Sequence, residues 1–115
     1  MPDEPQPTPT LLILCRDLLF TSKVTATARA IAIPLQVVRD PAQLPPEGQR
    51  LIVDLNHPGA LEAAAAWKTA TSGHVTGFVS HVDTATIDQA KSAGFDQILP
   101  RSRFVQTLED VLRGR

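Results

Sequence analysis

Side chains able to carry chemistry lie at or just after the ends of short apolar stretches in this chain. The set is Cys15, Arg16, Asp17, Asp54, His57, Ser80, His81 and Arg101. Asp54 poses the main question, because "LIVDL" at 51–55 places a carboxylate where an apolar stretch runs into the Pro58-Gly59 turn. Such a carboxylate either forms a chemical centre or accepts hydrogen bonds from nearby backbone amides and caps its loop.

The spacing of these residues indicates neither a metal site nor nucleophilic catalysis. Cys15, Asp54, His57 and His81 are zinc-ligand types, but no pair has a zinc-ligand spacing such as Cys-x-x-Cys. Nucleophilic catalysis through Cys15 or Ser80 lacks a G-x-S-x-G elbow, and the chain has no G-x-G-x-x-G phosphate loop. We therefore expect no metal ligands, no catalytic residues and no enzymatic activity.

The elements that position these residues alternate between strands and helices. The apolar stretches predict five strands, at 11–15, 34–38, 51–55, 75–80 and 97–99. Helical spacing and composition predict helices at 18–32, 59–71, 83–94 and 102–112. We expect Asp83 and Ser102 to act as N-caps, Gly94 as a C-cap and Trp67 as the anchor of its helix.

The segment at 39–50, "RDPAQLPPEGQR", carries prolines and a glycine, so it can hold one or two helical turns at most. Short apolar strands that alternate with helices predict right-handed crossovers and a flavodoxin-like, doubly wound, five-stranded parallel sheet. In such a sheet the functional groups gather outside the carboxyl ends of the strands. We therefore expect the candidate residues to lie close together at that edge.

Composition limits the class of protein. The length of 115 residues suits one domain, and a net charge of -1 argues against a nucleic-acid partner. Cys15 is the only cysteine, which favours a reducing cytoplasmic location, and no apolar run reaches membrane-spanning length. Residues 1–10 hold four prolines among polar residues, which predicts a disordered tail ahead of a folded domain at 11–115.

Three segments in order resemble the response-regulator receiver family, a CheY-like group, over residues 11–112. "VDLNHPG" matches the phosphoacceptor segment, with Asp54 as the acceptor and Pro58-Gly59 as the turn. Ser80 in "GFVSHVD" matches the Ser/Thr that ends the fourth strand, and "AGFDQILPRSRF" matches the segment around the fifth. The resemblance implies a (βα)5 receiver-type fold and a role in two-component signal transduction or a phosphorelay.

The chain departs from the family where the resemblance implies an acid pair and a lysine. Cys15 and Arg16 stand at the position of the acid pair, and Arg101-Ser102 replaces the usual Lys-Pro. Mg²⁺ needs several oxygen ligands, and Asp54 alone, or with Asp17 if the alignment shifts by one residue, supplies few. The resemblance therefore predicts a divergent pseudo-receiver with a weakened Mg²⁺ site, and we expect no cofactor.

Two arrangements of Asp54 remain open. In one, Arg16 or Arg101 forms a charge-assisted hydrogen bond with Asp54 and takes the place of both metal and lysine. In the other, both arginines extend into solvent and Asp54 only caps its loop. His81 occupies a position that in the family governs the access of water to the phosphorylated aspartate, where it either narrows this approach or is an exposed loop residue.

The expected function is a stand-alone signalling and protein-interaction module that is not phosphorylated by the usual Mg²⁺-dependent route. The resemblance implies a protein partner, such as a histidine kinase or an output protein, bound through the last two predicted helices and the fifth strand. Output is expected to pass through a separate protein or through self-association, with no nucleic acid and no membrane involved. Two alternatives are a working phosphoacceptor at Asp54 supported by arginines, and a redox sensor at Cys15 with Arg16 favouring its thiolate.

Overall fold

The computed structural model describes residues 11–81 and 83–114 of the chain. Five strands form one parallel sheet: β1 Leu11–Leu14, β2 Leu35–Val38, β3 Arg50–Asp54, β4 His74–Val79 and β5 Gln97–Pro100. Their order in the sheet is β2-β1-β3-β4-β5, the flavodoxin-like order, in which the direction of winding switches between β1 and β3. The predicted fold class and all five strands are confirmed, whereas the predicted tail at 1–10 lies outside the described residues.

Helices cover both faces of the sheet. They are α1 Leu18–Ala30, α2 Ala60–Thr71, α3 Thr84–Ser92, α4 Arg101–Gln106 and α5 Leu108–Arg113. Between β2 and β3 the chain forms only a short 3₁₀ helix, Pro41–Gln43, as the prolines of that segment predict. No helix within the described ranges has both the length and the hydropathy needed to cross a bilayer.

Alternation along the strands divides the core into two layers. Leu12 and Leu14 of β1 pack on the α2–α3 side of the sheet, and Leu11 and Ile13 pack on the α1–α5 side. Because β1 is buried on both faces, it reads as a continuous apolar run. Trp67 is buried on the first side, and its indole N–H donates to the Glu47 carbonyl oxygen at 2.8 Å, which fixes the long connection before β3.

Capping residues set the start of helices that begin at the carboxyl edge of the sheet. The Asp17 carboxylate accepts a hydrogen bond from the Phe20 N–H at the start of α1, at 3.0 Å. Asp83 caps α3 as predicted, with hydrogen bonds from the N–H groups of Ala85 and Thr86. Gly94 follows the end of α3 at a φ of 80°, a left-handed conformation that suits glycine.

The predicted C-terminal helix is corrected in two respects. Ser102 lies inside α4 and does not cap it, because the helix starts directly after Pro100, whose φ of -60° and ψ of 146° end β5. One helix was expected at 102–112, but Thr107 leaves helical geometry and separates α4 from α5. There the Thr107 hydroxyl donates back to the Arg103 carbonyl oxygen at 2.8 Å, a local bond that competes with regular helix.

Candidate functional site at the carboxyl edge of the sheet

Asp54 ends β3 beside the switch point of the sheet and is half-buried. One of its carboxylate oxygens accepts the N–H of Asn56 at 3.0 Å, and its carbonyl oxygen accepts the N–H of His57 at 3.2 Å. This is the side-chain turn that aspartate forms with a backbone amide two residues on. Asp54 therefore caps its own loop, as in the second arrangement open from the sequence. That arrangement is only partly met, because Arg101 does not extend into solvent.

Asn56 joins this loop to the segment that follows β4. Its side-chain oxygen accepts the backbone N–H groups of Ser80, at 2.6 Å, and of His81, at 3.3 Å. Ser80 and His81 are both exposed. Their backbone N–H groups nevertheless donate to the Asn56 side-chain oxygen and not to water. Sequence reasoning missed Asn56, although a polar residue two positions after an aspartate in a Pro-Gly loop is a recognisable turn signal.

Arg101 starts α4 and lies over the N-terminus of α1. Its guanidinium donates to the Asp17 carboxylate at 3.1 Å and lies near the Ser80 hydroxyl at 3.5 Å. The central guanidinium carbon is 4.1 Å from the centre of the Phe20 ring, within the range of a cation–π contact. The Phe20 ring and the Asp17 carboxylate together direct Arg101 towards α1.

The sequence left open an ion pair between Asp54 and either Arg16 or Arg101, and Arg101 is instead paired with Asp17. Arg16 is exposed, and neither it nor Asp54 takes part in an ion pair within residues 11–81 and 83–114. The pair of Arg101 and Asp17 joins the start of α4 to the start of α1. A hydrogen bond from the Phe20 N–H, followed by one from Arg101, lowers the pKa of the Asp17 carboxyl.

Cys15 follows β1 and is fully buried, at 0% exposure. Its side chain packs in the α1–α5 layer, in the same cluster as Phe20 and Phe104. Burial, with a smaller contribution from the negative charge of Asp54, raises the pKa of the thiol. A buried thiol of this kind behaves as a small apolar residue.

The residues at this edge do not fit Mg²⁺. A hard cation of this kind needs several oxygen ligands, but beside Asp54 the acid-pair position holds a buried thiol and an exposed arginine, Cys15 and Arg16. In the described part of the chain no three His, Cys, Asp or Glu side chains are grouped so that they could hold a metal ion. The zinc ligand set considered from the sequence is likewise not assembled there.

An apolar groove adjoins the site. It has a volume of about 360 Å³ and lies between β4, α3, β5 and α4. The residues that line it include Ser80, Arg101, Ile87, Leu99, Pro100 and Lys91. The groove and the candidate site therefore share two residues.

Several solved structures of response-regulator proteins have a similar fold. A response regulator protein from Burkholderia pseudomallei, solved with a phosphorylated aspartic acid, calcium ion and citrate, has a TM-score of 0.72 and 14% identity, over 89% of this chain and 65% of that one. A response regulator receiver protein from Pseudoalteromonas atlantica has a TM-score of 0.71 and 10% identity, over 90% and 97% of the two chains. A CheY-like response regulator from Mesorhizobium loti has a TM-score of 0.63 and 18% identity, over 86% and 94%.

No protein-family model and no curated protein sequence matches the chain. At identities this low, the structural likeness establishes the fold: the chain has the fold of response-regulator receiver domains. The receiver-type fold predicted from the order of the segments is thereby confirmed.

Proposed function

We propose that this chain is a receiver-like signalling module that binds a protein partner without Mg²⁺-dependent phosphorylation of Asp54. The observation that carries the proposal is the position of Arg101, whose guanidinium is held by Asp17 and Phe20 and makes no ion pair with Asp54. In the runner-up function, arginines would stabilise a phosphoryl group on Asp54 in place of the metal and the lysine. The observed contacts of Arg101 do not favour that alternative.

The environment of Asp54 supports the same proposal. The residues at the acid-pair position, Cys15 and Arg16, add no oxygen ligand, and the guanidinium of Arg16 repels a divalent cation. Asp54 itself accepts a hydrogen bond from Asn56 in the free protein. We propose that Asp54 is a structural residue here and that the chain has no catalytic activity and no resident cofactor.

The proposed partner is a protein of a two-component-type pathway in the cytoplasm, either a histidine kinase or an output protein. The surface formed by α3, β5 and α4 supports this, because it carries the groove of about 360 Å³ beside the site. Ile87 and Leu99 supply apolar contact area there, and Lys91 adds a positive charge at its side. A partner with an apolar side chain next to a carboxylate would match this surface.

A titration of the amide NMR spectrum with Mg²⁺ and then with beryllofluoride, a mimic of aspartyl phosphate, tests the proposal. We expect no clustered shift changes, because the site lacks the ligands that hold the metal and the mimic. An Asp54→Asn variant is the matched control, since it removes the acceptor carboxylate but keeps a side-chain oxygen. Shift changes around Asp54, Ser80 and Arg101 that disappear in this variant would instead show a working phosphoacceptor and overturn the proposal.

The redox alternative finds no support in the environment of Cys15. A redox sensor needs an accessible thiolate, whereas this thiol is buried and its pKa is raised. Arg16 was expected to favour the thiolate, but its side chain is exposed. Desolvation is the largest cause of the raised pKa of the Cys15 thiol.

A further inference from the structure

Two side chains from different parts of the carboxyl edge hold the same short segment after β4. The side-chain oxygen of Asn56, in the loop after β3, accepts both the Ser80 and the His81 amide. From the opposite side, the guanidinium of Arg101 lies 3.5 Å from the Ser80 hydroxyl. Ser80 thus has partners from the β3–α2 loop and from the start of α4.

Each of these two side chains is itself held. The N–H of Asn56 donates to the Asp54 carboxylate at 3.0 Å, which orients the residue towards β4. The guanidinium of Arg101 is fixed by the Asp17 carboxylate at 3.1 Å and by the face of the Phe20 ring. The Phe20 ring packs against Phe78 and Phe104, with centroid distances of 5.1 Å and 5.6 Å, so this support belongs to the core.

We infer that Asn56 and Arg101 form a latch that holds the segment after β4 in one conformation without metal or phosphate. This inference deepens the proposed function and rests on it, since it assigns the means by which such a module is set in its binding-competent form. Asn56 and Arg101 are positioning residues in this scheme. Asp54 contributes as the acceptor that orients Asn56.

The latch also determines the shape of the partner groove. Ser80 and Arg101 both line the groove, next to Ile87 and Leu99. A segment held by several hydrogen bonds loses less conformational freedom when a partner binds than a mobile one does. The groove is therefore preorganised in the free protein, with its wall tied to Asp54 on one side and to Asp17 on the other.

Amide hydrogen exchange of the full chain, measured by NMR without any ligand, tests the latch. In Asn56→Ala the Ser80 and His81 amides lose their acceptor, so we expect their exchange to become at least about fivefold faster, the factor that corresponds to one hydrogen bond of ordinary strength. Asn56→Asp keeps a side-chain oxygen at the same place and should retain the protection. Unchanged exchange in Asn56→Ala, or lost protection in Asn56→Asp, would overturn the inference.

Arg101 has a matched control two residues further along α4. Arg101→Ala should accelerate exchange at Ser80 and, combined with Asn56→Ala, should broaden the methyl signals of Ile87 and Leu99 in the groove. Arg103→Ala removes an exposed arginine from the same helix and should change neither readout. Sharp and unshifted methyl signals in the double variant would refute preorganisation of the groove.

The latch and the proposed function fail in different measurements. If the beryllofluoride titration is silent but Asn56→Ala leaves amide exchange unchanged, the latch is wrong and phosphate-independent binding stands. If the titration shows a working phosphoacceptor, the proposed function is wrong whatever the exchange rates are.

Discussion

Alkylation of Cys15 separates a core thiol from a redox centre. Cys15 is 0% exposed, and burial together with the negative charge of Asp54 raises the pKa of its thiol. Both effects slow alkylation, because the reagent needs access to the sulfur and reacts with the thiolate. We expect Cys15 to be inert to iodoacetamide at neutral pH in the native protein.

The magnitude follows from the position of Cys15 in the core. The residue adjoins the buried interior strand β1, so the reagent reaches the sulfur only when this part of the core opens. Opening of a core segment costs free energy close to that of global unfolding, and even about 4 kcal/mol reduces the open fraction to roughly one in a thousand. Native alkylation should therefore be at least about 10³ times slower than alkylation of the unfolded chain.

The assay is a time course of iodoacetamide labelling followed by mass spectrometry, in buffer and in guanidinium chloride. The matched control combines Leu19→Cys with Cys15→Ala, because Leu19 is 86% exposed at the same end of the molecule. This control should be labelled at the rate of a free thiol. If native Cys15 reacts within about tenfold of the control, where a thousandfold gap is expected, the burial argument fails and the redox alternative returns.

The raised pKa also fixes the sign of a pH effect on stability. A thiol that holds its proton more tightly in the folded state stabilises the fold fully below the unfolded pKa, whose reference value is 9.0. This contribution is lost as the pH rises through the folded pKa. The free energy of unfolding of the native chain should therefore fall more steeply above about pH 9 than that of Cys15→Ala, as denaturant titrations would show; equal slopes would contradict the shift.

Three further changes test the contacts at the carboxyl edge and the core beneath it. The Phe20 N–H and the Arg101 guanidinium both lower the pKa of the Asp17 carboxyl, so Arg101→Ala should raise the NMR titration midpoint of that carboxyl. An unchanged midpoint would show that Arg101 and Asp17 do not form an ion pair. Because this pKa is lowered from its reference value of 3.8, the stabilisation from Asp17 is complete above that value and is lost as the pH falls through the folded pKa. Acid titration of Asp17→Asn against the native chain will show this loss. Phe78→Ala should lower the free energy of unfolding by about 3–5 kcal/mol, because the ring is fully buried and stacks on the Phe104 ring at 4.9 Å. Leu19→Ala, at an exposed position, should change the free energy of unfolding by no more than about 0.5 kcal/mol. Equal losses for the two variants in denaturant titrations would contradict the packing.

The sequence predicted the fold well because strands that are buried on both faces appear in it as short runs of apolar residues. "LLIL" and "LIV" are buried on both faces of the sheet, so their continuous apolar character alone marks them as interior strands. The prolines at 39–50 correctly excluded a full helix there. The final helix was less predictable, because the break at Thr107 depends on one hydroxyl and one local bond that helical periodicity does not record.

The candidate site was predicted in its location but not in its contacts. The parallel sheet brings the carboxyl ends of β1 and β3 side by side, so the location of Asp17 and Asp54 at one edge followed from topology. The partner of Arg101 did not follow, because a long flexible side chain at the edge can reach several carboxylates. The choice of Asp17 is set by the position of the Phe20 ring, which only the tertiary structure reveals.

A continuous series of polar contacts crosses the carboxyl edge of the sheet. It runs from Asp54 to Asn56, from Asn56 to Ser80, from Ser80 to Arg101 and from Arg101 to Asp17. Each contact is solvent-accessible and weak by itself, but together they connect the loops that follow β3, β4, β5 and β1. A partner that bound beside Ser80 and Arg101 would therefore meet a surface that these four contacts hold in place, as the proposed interaction module requires.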